Sequence, residues 1–448
     1  MSSATPSARA PGGKFWFIGL APGVTRSNMW TYVLAAYGTI GLLTFVAIGT
    51  PYVLNANLGI AAAVQGQITG DLQLLNEVVM ILAFAPLGIL ADRIGRREVY
   101  AFGLLAMGVG YILYPLATSV GELGAFRVIY AVGIAAATGM LGTVVADYPD
   151  NHSRGKLVAF GGVLNGIGVV TVTLGIGRLL PNWLVSHGYD TVAAGRITHW
   201  IVAGLCILLA VIVAIGLKPG TPVQAGERLP WRDLAKSGLR EARNPRIALA
   251  YACAFIARSD LVILGTFTVL WGQTAAMNDG LDAAQASGVG SRLFGTASLA
   301  ALLWLPILGF ILDRINRVSG VIFCMGFAAV AFLSMLFVRD AADPSQMGWF
   351  VLLGMGQISA FLGATVLIST EAPMAARGAV IGMFNVFGAV GILISTGIGG
   401  RLFDSVAPAA PFAMIGVLAA LVTVFATYVR LTAPGEVGGR EIVKEMIH

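Results

Sequence analysis

Twelve stretches of the chain are apolar over about the 20 residues that a helix needs to cross a bilayer. Each is set off by a short polar segment. They cover residues 30–53, 70–90, 100–118, 123–145, 157–179, 197–217, 247–270, 288–312, 321–337, 349–369, 379–400 and 412–429. In hydrocarbon every backbone N–H and C=O must be paired inside the segment, so such spans are read as α-helices. The longest polar connection, 218–246, is basic, holds Pro219, Pro222, Pro230 and Pro245, and divides the spans six and six. The pattern predicts an all-α membrane protein of twelve transmembrane helices in two pseudo-symmetric halves. Its parts are a tail (1–29), a six-helix half (30–217), a linker (218–246), a second six-helix half (247–430) and a second tail (431–448).

Composition supports this reading. The 448 residues are 57% hydrophobic and 11% charged, against roughly 25% charged in a soluble domain. The 58 glycines suit close helix–helix approach in a bilayer. A net charge of +6 raises the question of nucleic acid, but the cations lie in short loops between apolar spans. They act there as topology signals. With the N-terminus inside, 21 of the 28 Lys and Arg fall in inner segments and four in outer loops or span ends. Both termini are therefore expected in the cytoplasm of a bacterial-type inner membrane. Residues 1–14 read as a disordered tail, and Phe15-Trp16-Phe17-Ile18 as a cluster too short for a signal core, placed at the bilayer interface. Cys206, Cys253 and Cys324 sit in separate apolar segments, in no metal-ligand spacing.

The halves repeat one another. Gly88-Ile89-Leu90-Ala91-Asp92-Arg93-Ile94-Gly95-Arg96-Arg97 returns as Gly309-Phe310-Ile311-Leu312-Asp313-Arg314-Ile315-Asn316-Arg317, 221 residues later. Asp147 and Pro149, followed by Arg154, return as Glu371 and Pro373, followed by Arg377. Gly162 and Asn165, followed by Gly168, return as Gly382 and Asn385, followed by Gly388. Offsets of 220 to 224 at three places imply two parallel six-helix repeats.

These residues resemble the major facilitator superfamily over nearly the whole chain. The most specific element is the G-x-L-A-D-R-x-G-R-R loop at Gly88 to Arg97. The helix 4 element is matched only in part, by Arg127 and a displaced Gly133. The helix 5 Gly-Pro motif of proton-driven drug antiporters is missing: Gly161 to Gly168 carries Asn165 and no proline. The resemblance implies an inner gate formed by Asp92, Arg93, Arg96, Arg97, Asp147 and Arg154 with Asp313, Arg314, Arg317, Glu371 and Arg377. A carboxylate at a helix end attracts arginines and the positive end of a neighbouring helix. The competing reading of the arginines is topology alone.

Ionisable groups at membrane depth cost about 2.5–3.5 kcal/mol each on insertion scales, so they are functional candidates by default. Glu77 lies near mid-depth in the second span, and Asp71 nearer its outer end. Arg127 is about a turn into the fourth span, and Arg292 is near the outer end of the eighth. Asp71, Arg127 and Arg292 read equally well as interfacial residues that snorkel outward. Arg258 lies about 18 Å into the seventh span at about 1.5 Å per residue, with Asp260 two positions on. Residues i and i+2 point roughly 200° apart, so these two cannot easily neutralise one another. Arg258 is a partner for an anionic substrate group, with a fixed bridge to Glu77 as the alternative. Glu77 and Asp260 are proton-carrier candidates. Asn165, Gln357 and Asn385 offer cavity hydrogen bonds or simple helix packing. His199 reads as interfacial.

The expected function is a secondary active transporter working by alternating access. It is proton-coupled and monomeric, embedded in lipid, and moves a small organic solute, anionic or zwitterionic by preference. Efflux of hydrophobic compounds is the alternative within the class; a membrane enzyme or a sensor is the alternative outside it. No G-x-x-x-x-G-K-[ST] nucleotide loop, H-E-x-x-H pair or appended sensory segment is found. No metal, organic cofactor or nucleic-acid partner is expected.

Overall fold

The computed structural model describes residues 13–150, 153–220, 231–373 and 376–433. Among the described residues, twelve helices are long and apolar enough to cross a membrane. In the first half they are α1 (Arg26–Ala56), α2 (Gln65–Ile94), α3 (Arg96–Leu113), α4 (Val120–Asp147), α5 (Arg154–Val170) and α6 (Thr191–Gly216). In the second they are α7 (Pro245–Asn278), α8 (Ala283–Leu312), α9 (Arg317–Leu333), α10 (Met347–Glu371), α11 (Arg377–Ser405) and α12 (Ala410–Thr432).

The helices outrun the apolar windows because polar residues start them beyond the hydrocarbon. Thr25 and Asn28 form a capping box on α1, Asp282 and Gln285 another on α8, and Asp190 accepts from the Ala193 N–H of α6. Such caps pair N–H groups that have no partner in the first turn. α5 departs from a plain span. It runs into nine residues of π-helix, Thr171–Leu179, and then a short helix, Leu180–Ser186, containing Pro181. Pro181 lacks an N–H and cannot extend an α-ladder.

The repeat is visible in the packing. In the first half α3 packs on α4 and α6, α1 on α5 and α6, and α2 on α4. In the second, α9 packs on α10 and α12, α7 on α11 and α12, and α8 on α10. The halves meet crosswise, α2 against α11 and α5 against α8.

With twelve spans between them, the first and last described residues, 13 and 433, lie at one end of the bundle, the terminal end. The halves close at the other, distal end. There Asp404 of α11 accepts from the backbone N–H groups of Gly66 (2.9 Å) and Gln67 (2.6 Å), and Arg401 pairs with Asp71 at 3.0 Å. A Cβ on Gly70 would sit 2.8 Å from the Thr396 carbonyl, so glycine is what lets α2 and α11 touch backbone to backbone. Towards the terminal end α2 and α11, and α5 and α8 beside them, leave open space. A Cβ added at Gly88, Gly162, Gly309 or Gly382 would meet nothing within 4 Å. The cleft between the halves therefore opens at the terminal end.

Two segments read as tail and linker are structured. Lys14–Phe15 and Ile18–Gly19 form an antiparallel hairpin. It docks on the α4–α5 connection through Ala21 N–H to Tyr148 O (2.8 Å), Asp150 N–H to Gly19 O (2.9 Å) and Gly19 N–H to the Ser153 hydroxyl (2.8 Å). Phe15, Ile18 and Leu20 are buried beneath it. Residues 1–12 lie outside the described ones. In the linker, helix Trp231–Glu241 packs on α11, and the Tyr251 hydroxyl donates to Gly238 O at 2.8 Å.

Candidate functional site

Near the middle of the bundle, polar side chains of both halves approach each other across the cleft. Gln73 and Glu77 share one face of α2, being four residues apart. The Gln73 amide donates to Glu77 at 2.9 Å and accepts from Arg127 of α4 at 2.8 Å. Arg127 is only 3% exposed; it also donates to the Thr50 hydroxyl (3.3 Å) and the Tyr114 hydroxyl (3.4 Å), and lies 5.3 Å from the Tyr130 ring centre. It is thus a buried member of the network, not an interfacial residue.

From the second half, Arg258 of α7 donates to the Asn385 side chain of α11 at 3.3 Å and stands 5.9 Å from the Phe361 ring centre. The charges of Glu77 and Arg258 act on each other across the halves without closing to a direct ion pair. The arrangement runs Arg127–Gln73–Glu77, then a gap, then Arg258–Asn385. Its one carboxylate is flanked by two guanidiniums. Charge at this depth is tolerated only where it is paired or faces a water-filled cleft.

The other candidates lie elsewhere. Asp260 is 0% exposed inside the second half; Gln357 of α10 donates to one of its oxygens at 3.5 Å and the other has no hydrogen-bond partner. Arg258 and Asp260 therefore point to different surroundings, as their spacing requires. Asp71 belongs to the distal closure. Arg292 donates to Ala342 O at 2.9 Å, tying α8 to the connection before α10. Asn165 is half-buried on α5, and its Oδ1 has no partner. His199 is buried rather than interfacial: Nδ1 sits 2.8 Å from Gly195 O, and its ring stacks near Tyr114 and meets Phe45 edge-on.

At the terminal end, the gate candidates form pairs within each half. Arg96 pairs with Asp147, and Arg246 with Glu371 at 3.2 Å. Arg97 pairs with its neighbour Glu98 at 2.9 Å, and Arg317 with Asp313 at 4.0 Å. Arg314 lies 3.6 Å over the Phe310 ring, Arg93 is exposed, and Asp92 is within electrostatic reach of Arg96. The side chains of Arg154 and Arg377 lie outside the described ones. Sequence reasoning missed Gln73, Thr50 and Tyr114, which are ordinary polar residues in apolar spans. It also missed Arg246, Arg401 and Asp404, whose partners are remote in sequence.

The sequence model of the Major Facilitator Superfamily matches residues 29–392 and, in a second match, 285–445. Magnetosome protein MamH of Paramagnetospirillum magneticum is 29% identical over 414 residues, covering 90% of this chain and 92% of that one. Inner membrane transport protein YajR of Escherichia coli is 24% identical over 85% of this chain and 78% of its own. Among solved structures, a D-xylose-proton symporter superposes with a TM-score of 0.67 at 17% identity, covering 89% of this chain and 96% of that one. At that identity the likeness carries the fold alone.

Proposed function

The chain belongs to the Major Facilitator Superfamily, and from that membership we propose a secondary active transporter that moves a small organic anion or zwitterion by alternating access, with Glu77 as the proton carrier and Arg258 as the substrate contact. The observation that supports this reading is a pair of opposite charges, one from each half, within electrostatic reach of each other without a direct ion pair. An arginine keeps its charge at any depth. A carboxylate can lose its charge by taking a proton. Protonation of Glu77 removes the negative group that competes for Arg258 and leaves the guanidinium to a substrate carboxylate or phosphate. Asp260 is a poorer carrier, because it is sealed inside one half and does not face the cleft.

The protein is a multi-pass membrane protein. We place it in the inner membrane, as YajR is named, with both termini cytoplasmic by the charge bias and functional as a monomer. Reporter fusions at Ala4 and Lys444 are expected to read cytoplasmic; a signal from the far side at either end overturns the orientation. On that orientation the cleft described above opens inward.

The coupling role is tested with a substrate found by thermal-shift screening, since a ligand stabilises the state it binds. In proteoliposomes, Glu77→Gln is expected to keep counterflow exchange and to lose accumulation driven by a pH gradient. Loss of both would remove Glu77 from coupling and make it a binding or structural residue.

A further inference from the structure

We propose that the Lys14–Gly19 hairpin is a docking element for the headgroup layer of an anionic lipid leaflet. Its turn is Trp16-Phe17, and Trp16 has φ +51°, the one non-glycine residue with positive φ among those described. A two-residue hairpin of this kind ordinarily takes glycine at the first turn position. A tryptophan held there is a backbone cost, and such outliers are kept where the side chain has a task. The geometry turns Trp16 and Phe17 outward together, 61% and 55% exposed, while Phe15 and Ile18 anchor the hairpin below.

Trp16, Phe17 and Trp30, all exposed, form a group of rings with the partly buried Phe160. Trp16 lies edge-on to Trp30, with centres 5.6 Å apart, and to Phe160 at 6.0 Å; Phe17 lies edge-on to Phe160 at 6.1 Å. Trp30 is in the second turn of α1 and Phe160 in the second turn of α5, close to where the apolar stretches 30–53 and 157–179 begin. Large amphipathic rings at that level suit the membrane–water boundary. Three exposed cations surround them: Lys14, Arg26, whose Nε donates to Lys14 O at 3.1 Å, and Lys156, whose Nζ is 3.5 Å from Phe17 O. The neighbouring acid, Asp150, accepts from the Ser153 N–H at 2.7 Å on the protein side of the hairpin. Aromatic rings beside exposed cations match anionic headgroups over an acyl layer. A soluble protein partner would not require the patch to sit at the ends of two spans.

The test places a nitroxide at Phe17→Cys in the full chain; the native Cys206, Cys253 and Cys324 are buried. Ser345→Cys, exposed in the connection before α10, is the aqueous reference. Power-saturation EPR is read in nanodiscs of phosphatidylcholine with and without phosphatidylglycerol. The oxygen-to-nickel-chelate accessibility ratio at 17 is expected to exceed that at 345 several-fold with phosphatidylglycerol present. It should fall in phosphatidylcholine alone, and in a variant carrying Lys14→Glu and Lys156→Glu. A ratio at 17 equal to that at 345 in both lipids overturns the proposal and leaves a soluble protein as the occupant. A high ratio indifferent to phosphatidylglycerol and to the two glutamates also overturns it as stated, reducing the patch to an apolar anchor.

Discussion

Glu77, Arg258 and Asp260 all stand out in the sequence, because a charge within 20 apolar residues is conspicuous. Depth alone did not sort them. Asp71, six residues before Glu77 on the same helix, forms an ion pair with Arg401, 330 positions away, and no local pattern predicts a partner at that distance. Asp260 is sealed against Gln357, whereas Arg258 reaches the cleft. That difference predicts contrasting variants. Asp260→Asn keeps the shape and leaves Gln357 with a polar neighbour, so thermal unfolding in detergent should change little. Asp260→Ala leaves the Gln357 amide short of an acceptor and should cost about 1–3 kcal/mol, the usual penalty for a buried polar group that loses its partner. Equal, large losses in both variants would mean that the ionised carboxylate itself holds the second half together.

At the scale of the element, the twelve spans were legible because hydrophobic length is a strong signal. The hairpin, the π-helical stretch of α5 and the docked linker helix were not, since each depends on what it packs against. The repeated loop shows how one position can change its job. Gly95, between α2 and α3, has φ +115° and ψ +151°, a region open in practice only to glycine. A Cβ there would also crowd the Glu98 carboxylate. Its counterpart in the second half, Asn316, has φ −58° and caps α9 by accepting from the Val318 N–H (3.0 Å) and the Ser319 N–H (3.2 Å). Gly95→Ala is therefore expected to destabilise the first half by about 1–3 kcal/mol through strain. Asn316→Ala should cost about 1 kcal/mol through the lost cap, and Asn316→Gly only a few tenths. Chemical unfolding of the detergent-solubilised variants checks the order; a harmless Gly95→Ala would mean that the α2–α3 turn relaxes.

For the whole molecule, the two halves follow one packing plan and differ in the groups they bring to the middle: a carboxylate with its arginine from one, an arginine with its asparagine from the other. The plan was legible in the offsets near 221, whereas the conformation was not, because the distal closure rests on contacts such as Asp71–Arg401 that are remote in sequence. What holds the distal side shut is partly ionic, and it is wet. The Asp71 and Arg401 side chains are 47% and 55% exposed, and a pair so placed contributes about 0–1 kcal/mol. Dissolved counterions compete with such a contact: the screening length shrinks from about 10 Å at about 0.1 M to about 3 Å at about 1 M. If the protein alternates as proposed, the balance between its two openings should thus respond to the ionic strength of the compartment the distal end faces. With spin labels at Ala63→Cys and Val406→Cys, the long-distance population is expected to rise by up to about fivefold over that range, the equivalent of about 1 kcal/mol. In Arg401→Gln the dependence should vanish. On the alternating-access reading proposed above, a far door closed by a half-hydrated ion pair makes salinity one of the inputs to the cycle.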